Sequence, residues 1–243
     1  MRYAIISDIH ANLAAFTAVL ADIKGRGGVD KFWCLGDIVG YGPDPHECIE
    51  ALRRLDHICV AGNHDLAAMG KIGTDDFNQD AAESCRWTAR QLSPSDIAYL
   101  EKLPMVVEEG DFTLVHGSPR DPVWEYLLTT SQAKDNFALF KARFCLVGHS
   151  HVPLVFTSKG SGDFSGRRFL ADISLAGKER MIINPGGVGQ PRDGDPQASY
   201  AIYDSQDGLV KLHRVAYDIQ VTQEKMVKQG LPMSLVTRLS HGT

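Results

Sequence analysis

Two histidines one residue apart, His149 and His151, stand directly after the apolar run Phe144–Val147 and a glycine. Four more short clusters of similar chemistry precede them: Asp8-Ile9-His10, Gly36-Asp37-Ile38-Val39-Gly40, Gly62-Asn63-His64-Asp65 and His116-Gly117. Carboxylate, imidazole and amide oxygen are ligands for borderline or hard divalent ions, and histidine and carboxylate also act as acids and bases. Taken singly, each cluster has a structural explanation. Asp8 would cap a helix, Asp37 would sit in a turn, Asn63 would take a left-handed position, and His116 would be a core histidine satisfied by its neighbours. Taken together, these would be five coincidences, each at the end of an apolar run and three of them led by a glycine. Ligands of open α/β sheets collect at the carboxyl ends of strands. The clusters therefore point to one convergent site.

The elements that must position them are legible from periodicity. Residues 2–7 read as a buried strand. Asn12 caps a helix reaching about Lys24, with Leu13, Phe16, Leu20 and Ile23 on its apolar face. Strands at 31–36 and 57–62 flank a helix at 44–55 with Pro45 in its first turn. This β-α-β-α-β rhythm predicts parallel pairing with right-handed crossovers. Residues 78–102 read as helical with a break at Ser93-Pro94. Residues 105–117 form a hairpin turning at Gly110-Asp111, and 130–141 form a helix. Further strands are expected at 143–147, 152–157, 180–183, 199–204 and 209–216, and helices near 219–229 and 233–240. Residues 158–166 read as a flexible surface turn.

With 243 residues, 44% of them hydrophobic, the chain has material for a sizeable core. Its net charge of −5 argues against non-specific nucleic acid binding, which needs a basic face. The five cysteines are odd in number and form no C-x-x-C pair, so reduced thiols in a cytoplasmic protein are expected. An aspartate at position 8 comes too early for a signal peptide, and no apolar run is long enough to span a bilayer.

The ordered set D-x-H, G-D-x-x-G, G-N-H-D, H-G and G-H-x-H, from Asp8 to His151, resembles the calcineurin-like metallophosphoesterase superfamily. The resemblance implies an α/β fold: a four-layer α-β-β-α sandwich of two mixed sheets flanked by helices. It implies one domain over 1–243, with helical insertions near 66–102 and 117–141 shaping the pocket. It also implies two divalent ions (Mn, Fe, Zn or Co), one held by Asp8, His10 and His151, the other by Asn63, His116 and His149, with Asp37 bridging them. Two ions about 3.5–4 Å apart clamp the attacking and leaving oxygens of an in-line displacement. The implied activity is hydrolysis of a phosphate ester by a hydroxide shared between the ions. His64 would protonate the leaving oxygen or steady the phosphoryl group. Asp65 would either orient His64 or cap a helix.

Protein serine/threonine phosphatases of this superfamily carry G-D-x-V-D-R-G and R-G-N-H-E. Here Gly40 and Tyr41 replace the Asp-Arg pair and Ala61 replaces the second arginine, so both phosphate-clamping guanidiniums are missing. "GDIVGYGPDP" and the segment Ile182–Tyr200 are similar instead to small bacterial phosphodiesterases, a branch that includes diadenosine tetraphosphate hydrolases. Gly187 stands where that branch has a serine. A small phosphodiester or nucleotide-like substrate is expected, with Tyr41, Asn63 and Arg192 as candidate contacts. Arg192 would alternatively pair with Asp193 or Asp195. A phosphomonoesterase is the alternative among enzymes. Outside enzymes it is a non-catalytic metal-binding scaffold, as in the retromer subunit of this fold.

Overall fold

The computed structural model describes residues 1–160 and 162–243. In chain order its elements are β1 (Arg2–Ile6), α1 (Leu13–Gly25), β2 (Lys31–Cys34), α2 (Pro45–Arg53), β3 (His57–Cys59), α3 (Asn63–Ala68), α4 (Gln79–Gln91) and α5 (Pro94–Leu100). Then follow β4 (Val106–Glu109), β5 (Phe112–Val115), α6 (Thr130–Asn136), β6 (Phe144–Leu146), β7 (Pro153–Ser158), β8 (Phe164–Arg168), β9 (Ile173–Ser174), β10 (Arg180–Pro185), β11 (Ala198–Asp204), β12 (Leu209–Val215), α7 (Ile219–Lys228) and α8 (Met233–Arg238).

The strands form two six-stranded mixed sheets, ordered β3-β2-β1-β11-β12-β9 and β4-β5-β6-β10-β7-β8. Parallel pairing holds within β1-β2-β3 and within β5-β6-β10; the other pairs are antiparallel. The side-chain alternation of the strands builds the layers. On β1, Ile5 joins Trp33, Leu35, Val60, Leu114, Phe144, Leu146 and Ile183 in the core between the sheets. Its neighbours Ala4 and Ile6 point the other way, to Phe16, Val19, Ile49 and Leu52 of α1 and α2. The outer face of the second sheet buries Val115, Cys145, Val147, Phe156 and Ile182 against Ala133, Phe137 and Phe140.

Two expectations change. Residues 158–166 are a turn only in part: Phe164–Gly166 belong to β8 and pair with Phe156–Ser158, because the antiparallel ladder to β7 satisfies backbone groups that a loop would leave to water. Ser161, in the same stretch, lies outside the described residues. The helix expected over 130–141 ends at Asn136, whose side chain turns back to the backbone carbonyl of Gln132. The short α3 and β9 have no counterpart in the sequence reading. Among the described residues no helix is long and apolar enough to cross a membrane, and all five cysteines are buried and free.

Asn12 ties the start of α1 to distant segments. Its carboxamide oxygen accepts from the Ala15 amide at 3.1 Å and from the Thr222 hydroxyl at 2.9 Å, and its nitrogen donates to the Gly189 carbonyl at 2.9 Å. It therefore fills the capping role, and Asp8 is left for other work.

Candidate functional site

Where β1 and β2 end, their loops run on side by side. The amides of Asp8, His10 and Ala11 donate to the carbonyls of Gly36, Asp37 and Ile38 at 3.0, 2.9 and 2.9 Å. The loop after β10 joins them, with Val188 and Gly189 donating to the carbonyls of Ser7 and Asp8 at 2.9 and 2.8 Å. From the second sheet, Gly148 donates to the His116 carbonyl at 2.8 Å. Asn184 holds the histidine loop from outside, donating to the Gly148 carbonyl at 2.7 Å and the Ser150 hydroxyl at 3.0 Å.

The backbone here is tightly bent. Among the described residues, the non-glycine positions with left-handed φ are Asp8, His10, Ala11, Asp37, Tyr41, His149 and His151, at +48° to +63°. Five of them are the expected ligands other than Asn63 and His116. Such conformations each cost on the order of 1 kcal/mol or more and persist only where surrounding structure imposes them. At Gly62 the approach is closer still: a side chain would overlap the Asp37 carboxylate.

Two groups of candidate ligand atoms result. Asp8 Oδ1 lies 3.2 Å from His151 Nε2 and 3.9 Å from His10 Nε2, and the two imidazole nitrogens are 3.1 Å apart. His116 Nε2 lies 3.1 Å from Asn63 Oδ1 and 3.2 Å from His149 Nδ1. One atom faces both groups: Asp37 Oδ2, 3.3 Å from His116 Nε2 and 3.7 Å from His10 Nε2. Asp37 Oδ1 is already used, accepting from the His64 amide at 2.9 Å.

The far nitrogen of each histidine meets a backbone carbonyl: His10 Nδ1 that of Val39 at 3.1 Å, His116 Nδ1 that of Leu35 at 2.7 Å, His151 Nδ1 that of Gln190 at 2.5 Å, and His149 Nε2 that of Trp124 at 3.2 Å. A carbonyl only accepts, so the ring proton sits on that side and the inward nitrogen of a neutral ring is bare. Both oxygens of Asp8 and Oδ2 of Asp37 are buried without a hydrogen bond. Lone pairs converging this closely in a buried cluster call for protons or cations between them. With two carboxylates, four imidazoles and an amide oxygen, this donor set fits divalent ions of the hard-to-borderline kind.

Charges follow the same logic. Burial works against ionising Asp37, but His116, His64 and His10 outweigh it and hold the carboxyl well below the usual range. Burial lifts Asp8 to about 7 against the pull of His116. Burial also opposes charge on His116, yet Asp37 and Asp8 raise it to about 9. His149 falls to about 3 through burial and the neighbouring His116. His10 and His151 fall well below the ordinary value, chiefly through burial.

A cavity of about 120 Å³ opens over this cluster, and Tyr41, Asn63, His64 and Arg192 are among the residues lining it. His64, lowered to about 4 by burial, has a ring nitrogen within 4.8 Å of ligand atoms of His10 and Asp37. The Tyr41 ring lies 4.3 Å from that of His64 and 4.6 Å from that of His10. Arg192 donates to the Gln190 carboxamide at 2.8 and 3.2 Å and to the Tyr41 hydroxyl at 3.4 Å. Its alternative partners are taken, since Asp193 and Asp195 pair with Arg214. Of the two roles open to Asp65, the structure shows the cap and, among the described residues, no contact that orients His64. Its carboxylate accepts from the amides of Asp37, Ile38, Val39 and Gly62 at 2.9, 2.9, 3.2 and 3.0 Å, capping α3 and clamping two ligand loops together. Phe77, Trp124 and Tyr126 also line the cavity, and Cys85 reaches the His64 ring. None of these four was expected at the site from the sequence, where Cys85 counted only among the five thiols; nothing local marks Asn184 as a clamp.

Residues 1–208 match the family model described as the calcineurin-like phosphoesterase superfamily domain. A metallophosphoesterase of known structure from Sphaerobacter thermophilus is 48% identical, with a TM-score of 0.90, covering 100% of this chain and 99% of its own. An uncharacterized protein of Methanocaldococcus jannaschii is 42% identical over 244 residues, 98% of this chain and 97% of the relative. A symmetrical bis(5'-nucleosyl)-tetraphosphatase of Erwinia tasmaniensis is 29% identical over 143 residues, which are 53% of this chain and 47% of that enzyme. The match thus spans about half of the tetraphosphatase.

Two tests follow from this geometry. Divalent ions must displace the protons of His116 and, at lower pH, of Asp8. Apparent manganese affinity, measured by calorimetry across a pH series, is expected to rise with pH from the acid side and to level off above about 9. Asp65→Asn turns an amide group toward four backbone N–H donors. It is expected to cost about 3 kcal/mol or more of stability in denaturant titrations and to weaken metal binding with it.

Proposed function

Because the chain belongs to the calcineurin-like phosphoesterase superfamily, we propose that it hydrolyses small phosphodiesters or nucleotide-like phosphate esters with two divalent ions. The observation that carries this reading is Asp37 Oδ2, a buried carboxylate oxygen faced by ligand groups on both sides. Asp8, His10 and His151 would hold one ion, Asn63, His116 and His149 the other, and Asp37 both. Mn, Fe, Zn and Co suit these donors. Bound there, the ions supply positive charge to the phosphoryl oxygens and make water acidic enough to attack at neutral pH.

The rest of the work falls to the chain. His64 contributes no ligand atom in this assignment. Its neutral ring donates a hydrogen bond from Nε2 to the oxygen on which charge develops as the P–O bond breaks. Arg192, with no carboxylate partner among the described residues, offers its guanidinium to non-bridging oxygens or to a further phosphate, with Tyr41 beneath it. Asn63 adds its amide at the cavity wall. We read the chain as one domain whose segments 66–102 and 117–141 shape the pocket; Phe77 and Asn78 from the first and Trp124 and Tyr126 from the second support this. These aromatic walls and the tetraphosphatase relative support a nucleoside-bearing substrate such as a dinucleoside polyphosphate. The buried free thiols support a cytoplasmic setting.

Metal analysis after manganese reconstitution is expected to approach two ions per chain and to fall at both sites in Asp37→Ala. His64→Ala is expected to keep both ions and to lose ~10²–10⁴-fold in kcat, less for nitrophenyl esters, whose leaving group needs little help. Loss of metal in His64→Ala would instead make His64 a ligand. Arg192→Ala is expected to lower kcat/KM for diesters and polyphosphates by about tenfold or more relative to a simple aryl monoester, with Tm nearly unchanged. Equal losses on all substrates with a large fall in Tm would make the residue structural.

A further inference from the structure

His64 lines the cavity, and one of its ring nitrogens meets the protein interior. Nδ1 has its hydrogen-bond partner in Cys85 Sγ, 3.2 Å away. Cys85 lies in the middle of α4 and is 1% exposed. The ring it meets is wedged between aromatic neighbours, with the rings of His10 and Phe77 both 4.9 Å away and nearly perpendicular. Gly40 closes the remaining side: a Cβ there would stand 2.5 Å from Nδ1. Asp65, the acidic group nearest in sequence, is committed to four backbone amides. The thiol is thus the hydrogen-bonding group presented to this nitrogen.

We propose that Cys85 is a positioning residue for the hydrolytic reaction: its S–H donates to Nδ1 of His64 and so keeps the ring proton on Nε2, facing the substrate. A neutral imidazole has one proton for two nitrogens. The nitrogen that receives a donor must be the bare one, and the other must carry the hydrogen. A carboxylate partner would do the opposite. As an acceptor it would draw the proton to Nδ1, and Nε2 would donate only when the ring was cationic. A thiol permits donation from the neutral ring. Burial pushes the Cys85 thiol well above its ordinary value, which keeps the sulfur protonated. The partner comes from the 66–102 segment, so that segment tunes the reacting histidine as well as lining the cavity.

This inference rests on the role assigned to His64 above, and the test separates the two. Histidine-specific ¹⁵N labelling of the zinc-loaded protein, with His64 assigned by its loss in His64→Ala, reads the tautomer directly. The wild type is expected to show a bare Nδ1 and a protonated Nε2. Cys85→Ala, and the larger, donor-free Cys85→Val where it folds, are expected to shift the ring toward the other tautomer. In the same variants kcat for esters with alcohol leaving groups is expected to fall about tenfold, the worth of one hydrogen bond, with less loss on nitrophenyl esters and KM nearly constant. Cys85→Ser, which keeps a donor, is expected to recover most of both signals. In a His64→Ala background, Cys85→Ala is expected to cost nothing more. An unchanged His64 tautomer in Cys85→Ala, a serine variant as slow as alanine, or a full additional loss on top of His64→Ala would each overturn the inference. Wild-type kcat in His64→Ala would overturn the role of His64 itself, and the tautomer measurement would still decide whether the thiol controls the ring.

Discussion

The site depends on one electrostatic constraint: buried imidazole nitrogens and carboxylate oxygens gathered 3.1 to 3.9 Å apart at the floor of a cavity. Each such atom is repelled by the next, and buried polar atoms without partners are costly. The arrangement holds because the outward nitrogens of the histidines and one oxygen of Asp37 are spoken for. Four histidines are pinned from behind by carbonyls of Val39, Leu35, Gln190 and Trp124, and Asp37 Oδ1 by the His64 amide. The inward atoms then have nothing to turn to except a cation. That is a design for binding metal, maintained against the local preference of the chain.

That preference is overridden in two ways. Left-handed backbone at Asp8, His10, Asp37, His149 and His151 lets short loops aim successive side chains at one point. Glycines let strand ends approach more closely than a β-carbon permits, most acutely at Gly62 against Asp37. Both devices carry a cost that packing must offset, and the offset lies in the core between the sheets and in hydrogen-bond hubs. Asp65 gathers four amides of two loops, Asn184 holds the histidine loop, and Asn12 joins α1 to the loop after β10 and to α7.

Outside this frame, the walls of the cavity give the site its individual character. Arginines that clamp phosphate in the protein phosphatases are absent, and Tyr41 occupies part of that ground beneath Arg192. Aromatic side chains from two segments close the opposite side. A thiol meets His64 at the cavity. The candidate metal ligands thus come from strand ends, whereas the walls combine strand-end residues, Tyr41 and Arg192, with Phe77, Trp124 and Tyr126 from the segments between them.

The two parts were unequally legible. The five strand-end clusters, most strand positions and the Ser93-Pro94 helix break could be read in advance, because apolar periodicity and capping chemistry are local properties. The order of the clusters carried the family. The sequence alone left Asp65 open between two roles and Arg192 between two partners, and it passed over Cys85, Phe77, Trp124, Tyr126 and Asn184. Each of those is decided by neighbours remote in the chain: Asp65 by amides on the loop after β2, Arg192 by Arg214 taking the nearby aspartates, Cys85 by a helix laid across His64. A residue's type sets what it can do, and that much is local. Which lone pair or proton it meets is set by packing of distant segments, and no local pattern encodes it.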